Sequence, residues 1–170
     1  MGIIGFSSNA TLLHPPICLN ENSGSLEGAL RLANGSCGTN FTAALELGES
    51  CLCGRPSENF FTKALAKIFC EEDATPKTPT RRNGPQRIIM LTDGEHNARS
   101  LPLAAASRLK NAGVVIDCIG IGGSPADVDE KLLKQIASQN SDGSPRYCFI
   151  GDQQQLLRKY QTLAHHIRAI

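Results

Sequence analysis

Apolar runs of strand length alternate along this chain with stretches of helical period. The strand-like runs are residues 2–7, 10–14, 87–92, 114–121 and 147–150. Two of them contain Ile88-Ile89-Met90-Leu91 and Val114-Val115-Ile116, which are continuously apolar, as strands buried on both faces are. Helices are expected between the strands. Leu26, Ala29, Leu30 and Ala33 share one stripe, and Phe61, Leu65 and Ile68 share another after Ser57. Ser100 and Pro102 open a stretch carrying Leu103, Ala106 and Leu109, which Gly113 closes. Ser124, Pro125 and Asp127 read as a cap, a first-turn proline and an acidic third position. Val128, Leu132 and Ile136 form the stripe that follows. Asp152 with Gln155 suggests a capping box ahead of Leu156, Tyr160, Leu163 and Ile167. Residues 71–86, with Pro76, Pro79 and Pro85, read as an irregular surface excursion. The alternation as a whole predicts a layered α/β domain with a mostly parallel sheet.

Composition narrows the function classes. A length of 170 residues suits one domain, and 41% hydrophobic with 19% charged residues suits a packed core rather than a disordered tail. Net charge is +1, Trp is absent and aromatics are 5%. No basic cluster exceeds Arg81-Arg82. Neither bulk electrostatics nor base stacking therefore favours a nucleic acid, and an acidic membrane surface is equally disfavoured. No stretch supplies the roughly 20 apolar residues of a membrane span. The opening residues lack the basic start of a signal peptide, and Phe6 stands where a myristoylation pattern needs Ser or Thr. A cytoplasmic location is the expectation. The seven cysteines are odd in number and irregular in spacing. Cys51-Leu52-Cys53 has no second pair at a zinc-site distance, so free thiols are expected.

Two segments carry candidate chemistry. In Leu91-Thr92-Asp93-Gly94-Glu95-His96-Asn97, a buried strand delivers a carboxylate to its C-terminal end. Open α/β sheets bind ligands there, although Asp93 also suits a plain turn. In Gly38-Thr39-Asn40-Phe41, a hydroxyl precedes a helix whose first backbone N–H groups are free. A third segment, Gly120-Ile121-Gly122-Gly123-Ser124-Pro125, has proline at the third glycine position of a dinucleotide loop, so nucleotide binding is not expected. His165-His166 reads as a solvated pair.

Together, Gly38-Thr39-Asn40 and Leu91-Thr92-Asp93-Gly94 resemble the von Willebrand factor A (integrin I-domain-like) family. The order of the remaining strands resembles it along nearly the whole chain. The resemblance implies a three-layer, doubly wound, Rossmann-like fold with one antiparallel edge strand at residues 10–14. It also implies a protein-interaction module without enzymatic activity. Its metal-ion-dependent adhesion site would bind Mg²⁺ or Mn²⁺ through Thr39 and Asp93 and engage an acidic residue of a protein partner. Asn40, Glu95, His96 and Asn97 lie beside that site as candidate partner contacts. The family's first strand ends in Asp-x-Ser-x-Ser and should lie upstream of Gly2. The expectation is therefore one domain over residues 1–170, incomplete at its N-terminus and lacking the first strand and helix. Glu21-Asn22-Ser23-Gly24-Ser25 looks like the missing motif but leads into a helix, and is read as a cap. Two other readings stand beside this one. The chain would be a metal-assisted hydrolase with Asp93 as ligand and His96 as general base, or an inactive fragment.

Overall fold

The structure, a computed structural model, describes residues 2–16, 38–53 and 86–152, with positions 28, 154, 155 and 158 besides. Apart from Gly28, which is helical, and Gln86, the expected helices at residues 26–33 and 57–68, the 71–86 excursion, the Glu21–Ser25 motif and His165-His166 lie outside the described residues. Within them the order is β1 (Ile3–Phe6), β2 (Ala10–His14), α1 (Phe41–Cys53), β3 (Arg87–Thr92), α2 (Pro102–Asn111), β4 (Val115–Ile121), α3 (Glu130–Ile136) and β5 (Tyr147–Ile150).

β1 and β2 form an antiparallel hairpin, closed where the Ser7 N–H donates to the Asn9 carbonyl at 2.8 Å. β3, β4 and β5 form a parallel sheet in that order. This is the mixed α/β architecture expected from the sequence, with β2 as the antiparallel edge. Period-two alternation divides the parallel strands between two faces. Met90, Ile116 and Cys118 are buried on one face, with Ile88, Tyr147 and Phe149 packed against them. Ile119 and Ile150 are buried on the other, with Ile89, Leu91, Ile121 and Cys148.

The first face is covered by helices. Phe41 and Leu45 of α1, Leu109 of α2, and Leu133 and Ile136 of α3 are all essentially fully buried against it. Pro102 starts α2 at a position where a missing N–H costs nothing. Leu101 precedes it without a side-chain cap, because the Ser100 hydroxyl is turned instead toward Asn40. Gly113 ends the helix with φ +83°, a backbone state glycine adopts without penalty. α1 and α2 are joined by Arg108, which donates to the buried Glu49 carboxylate at 3.0 Å.

One helix differs from expectation. Ser124 and Asp127 do form the capping box, but it closes only a short 3-10 turn, Pro125–Asp127. α3 starts later, with Asp129 accepting from the Leu132 N–H at 3.0 Å. Val128 is buried in extended backbone between the two rather than on the helix. Asp127 also holds the loop of residues 120–125 close to the 3-10 turn. Asp127 accepts from the Ser124 N–H at 2.8 Å, and a Cβ on Gly122 would lie 3.0 Å from that carboxylate.

Among the described residues, no strand pairs β1 to β3. α1 nonetheless packs across both: Phe41 meets Phe6 of β1 edge to face at 6.2 Å, and Gly48 faces the Ile88 side chain of β3. The C-terminal ends of both strands meet the start of α1. Ser7, after β1, accepts from the Asn40 N–H at 2.7 Å, and Gly94, after β3, abuts Thr39. β1 and β3 therefore run in the same direction on either side of a seam beneath one helix.

Candidate metal and partner site

The loop before α1 and the loop after β3 converge at the C-terminal end of the sheet. Gly38 has φ +106°, and a Cβ there would clash with the Ser8 hydroxyl, so only glycine brings the chain this close to the β1–β2 turn. Asn40 is the cap of α1: its Oδ1 accepts from the Ala43 N–H at 3.1 Å, and its Nδ2 donates to the Ser8 carbonyl at 3.1 Å. Thr39 therefore stands just ahead of the helix, held from both sides.

The second loop is shaped at once after β3. The buried Thr92 hydroxyl accepts from the Gly94 N–H at 3.2 Å, turning the chain and leaving Asp93 exposed. Gly94 lies against Thr39, such that a Cβ on it would come within 3.0 Å of Thr39 Oγ1. The structure thus brings together the Thr39 hydroxyl and the Asp93–Gly94 turn. Glu95 is exposed beside them.

The other polar residues of the cluster are engaged within the protein. Thr39 and Asn97 exchange two hydrogen bonds: the Thr39 N–H donates to Asn97 Oδ1 at 2.7 Å, and the Asn97 N–H donates to the Thr39 carbonyl at 3.1 Å. His96 stacks on Phe41 with ring centres 5.2 Å apart. Its Nδ1 accepts from the Phe41 N–H at 3.2 Å, and its Nε2 lies 2.9 Å from the Ser100 carbonyl, an acceptor to which it must donate. With Nδ1 occupied by a donor and Nε2 protonated, His96 offers no free lone pair for proton abstraction. Ser8, and Ser100, which the sequence marks as the start of a helix, enter the site through these tertiary bonds.

The donor set suits a hard divalent cation in kind: one carboxylate and one hydroxyl, both oxygens. Asp93 makes no hydrogen bond or ion pair among the described residues, so its oxygens are available. No group of three or more His, Cys, Asp and Glu side chains among the described residues forms a metal cluster. Two oxygens fill only part of an octahedral shell.

The von Willebrand factor type A domain model matches residues 57–162. The chain belongs to that family. The match takes in β3, α2, β4, α3, β5 and Asp93, while Thr39 and the β1–β2 hairpin precede it. Comparison with curated protein sequences finds no match. Among solved structures, this A domain is similar to proximal thread matrix protein 1 from the mussel byssus, with TM-score 0.59 and 21% identity over 91% of this chain and 33% of that one. One structure of that protein has zinc in its MIDAS motif. It is also similar to the pilus adhesin SpaC from Lactobacillus rhamnosus GG, with TM-score 0.60 and 16% identity over 98% of this chain and 24% of that one. Manganese-loaded TRAP protein from Plasmodium vivax has TM-score 0.52 and 20% identity over 93% of this chain and 54% of that one. The chain spans about a third of the length of the mussel protein structures. At these identities the likeness concerns the fold. No helix among the described residues is long and apolar enough to cross a membrane.

Proposed function

We propose that this A domain is a protein-binding module without catalytic activity, and that its contact surface is the loop cluster around Thr39 and Asp93. The observation that supports this reading is the close approach of Gly94 to Thr39, which brings the threonine hydroxyl to the turn that carries the exposed Asp93 at the C-terminal end of a parallel sheet. Mg²⁺ or Mn²⁺ would be held by Thr39 Oγ1 and the Asp93 carboxylate. Because the hydroxyl is neutral, the ion keeps charge to offer an acidic residue of a partner. Glu95 and Asn97 are exposed on the rim, where a partner would meet them. The zinc-occupied mussel protein and the manganese-loaded TRAP protein support a cation at a site of this kind. Engagement of both His96 nitrogens supports the non-enzymatic reading over a hydrolase with His96 as base.

The seam between β1 and β3 supports a second element of the proposal: the domain is completed by a parallel strand lying between them, whose C-terminal end would arrive beside Thr39 and Asp93. That strand is the natural source of the missing metal oxygens. Without it the site is expected to hold the ion weakly, at millimolar rather than micromolar concentration. Calorimetric titration with Mn²⁺, on the chain and on Asp93→Ala, tests the assignment. Weak binding abolished by the substitution is the expected result. Micromolar binding that survives it would place the metal elsewhere.

A further inference from the structure

We infer that His96 is a positioning residue, which latches the Asp93 loop onto the first turn of α1 and so holds the two oxygen ligands together. The inference rests on the metal-site reading above and concerns how that site is assembled.

Thr39 and Asp93 belong to different elements, and neither element fixes the other through the sheet. The first backbone N–H groups of a helix have no partner within it. Asn40 satisfies the one on Ala43. The one on Phe41 is satisfied from outside the helix, by His96 Nδ1 at 3.2 Å. The same ring stacks on the Phe41 side chain, which is wholly buried and itself packed on Phe6. The far nitrogen of the ring donates to Ser100, at the end of its own loop, and the Ser100 hydroxyl donates to Asn40 Oδ1 at 3.3 Å. A single imidazole thus joins the start of α1 to the middle and the far end of the 93–100 loop. Asn97 ties the same loop to Thr39 through two hydrogen bonds, and the His96 ring adds a separate tie to the Phe41 N–H and side chain.

Two conservative substitutions separate the two nitrogens. Asn places a carbonyl oxygen close to the position of Nδ1, so His96→Asn keeps the acceptor for Phe41 and loses the bond to Ser100. Gln reaches the position of Nε2, so His96→Gln keeps the donor to Ser100 and loses the acceptor. Amide hydrogen exchange of the metal-free chain should show the Phe41 N–H protected in the wild type and in His96→Asn. It should exchange at least about tenfold faster in His96→Gln and His96→Ala. Line broadening by Mn²⁺ then reads the site. In the wild type and His96→Asn, the amides of residues 39–41 and 93–97 should broaden at the same ion concentration. In His96→Gln and His96→Ala the 93–97 set should still broaden, through Asp93, while the 39–41 set needs about tenfold more ion. Equal Phe41 exchange in all four proteins, or joint broadening in His96→Gln, would overturn the latch. If Mn²⁺ broadens neither set in the wild type, the metal reading fails by itself. The exchange ranking, measured without metal, still decides whether the latch exists.

Discussion

Gly94 stands so close to Thr39 that a single added methyl group would come within 3.0 Å of the threonine hydroxyl. Nothing else in the structure explains a glycine there, since its backbone lies outside the left-handed region that glycine alone favours. Gly94→Ala should therefore leave the fold nearly intact while turning or displacing Thr39 Oγ1. The melting temperature is expected to move by only a few degrees, and Mn²⁺ affinity to fall about tenfold. Unchanged Mn²⁺ binding in this variant would remove Thr39 from the ligand set.

The seam between β1 and β3 makes a prediction about stability. An unpaired buried backbone group costs about 1–3 kcal/mol, and a whole domain is stable by only about 5–15 kcal/mol. Supplying a strand that ends in Asp-x-Ser-x-Ser should raise the melting temperature and the Mg²⁺ affinity together. A rise in one without the other would separate the seam from the metal site. If the 170-residue chain alone melts cooperatively as a monomer above about 60 °C, the seam needs no further strand.

At the opposite end of the sheet, Asp117 of β4 is buried between two arginines. It accepts from Arg87 of β3 and, at 2.9 Å, from Arg146 just before β5. One carboxylate thus ties the three parallel strands at their N-terminal ends. Asp117→Asn keeps the shape and leaves two guanidinium groups facing a neutral amide. The expected cost is about 3 kcal/mol, read as a lowered urea midpoint with the denaturant slope unchanged. A loss below about 0.5 kcal/mol would mean that solvent screens this triad as it does a surface pair.

Cys118, on the helix-covered face of β4, is pushed up from 9.0 to about 12, first by burial and then by the neighbouring Asp117 carboxylate. The folded state keeps this thiol protonated, whereas the unfolded chain releases the proton near its ordinary value. Its contribution to stability is complete below about pH 9 and is lost as the pH climbs toward 12. Tyr147 acts in the same direction, raised from 10.0 to about 12 chiefly by burial. The urea midpoint should fall steadily above about pH 9, and Cys118→Ala should flatten the first part of that fall. A midpoint in the wild type that is level to about pH 11 would contradict the burial of Cys118.

The five strands were legible from residue order because burial on a pleated sheet imposes a period of two or a continuous apolar run, and both are local patterns. The Gly113 stop and the Asp152 cap, whose Oδ1 accepts from the Gln155 N–H at 2.8 Å, were legible for the same reason: each is made within a few residues. The start of α3 was not. Ser124 and Asp129 are both sound caps, and sequence alone favoured the earlier one. The choice is made by Val128, whose side chain packs against Gly120 so closely that a Cβ on that glycine would lie 3.0 Å away, holding the chain extended until Asp129. The site divides in the same way. Thr39 and Asp93 stood out because each occupies a recognisable junction of strand, loop and helix. In the sequence His96 reads as a partner contact or a general base and Ser100 as the start of a helix, and Ser8 does not stand out, because the groups they satisfy lie on other elements or beyond the local pattern. Local chemistry determined where the chain turns and which face is buried. Only the meeting of distant backbone donors and acceptors decided which polar side chains hold the site together.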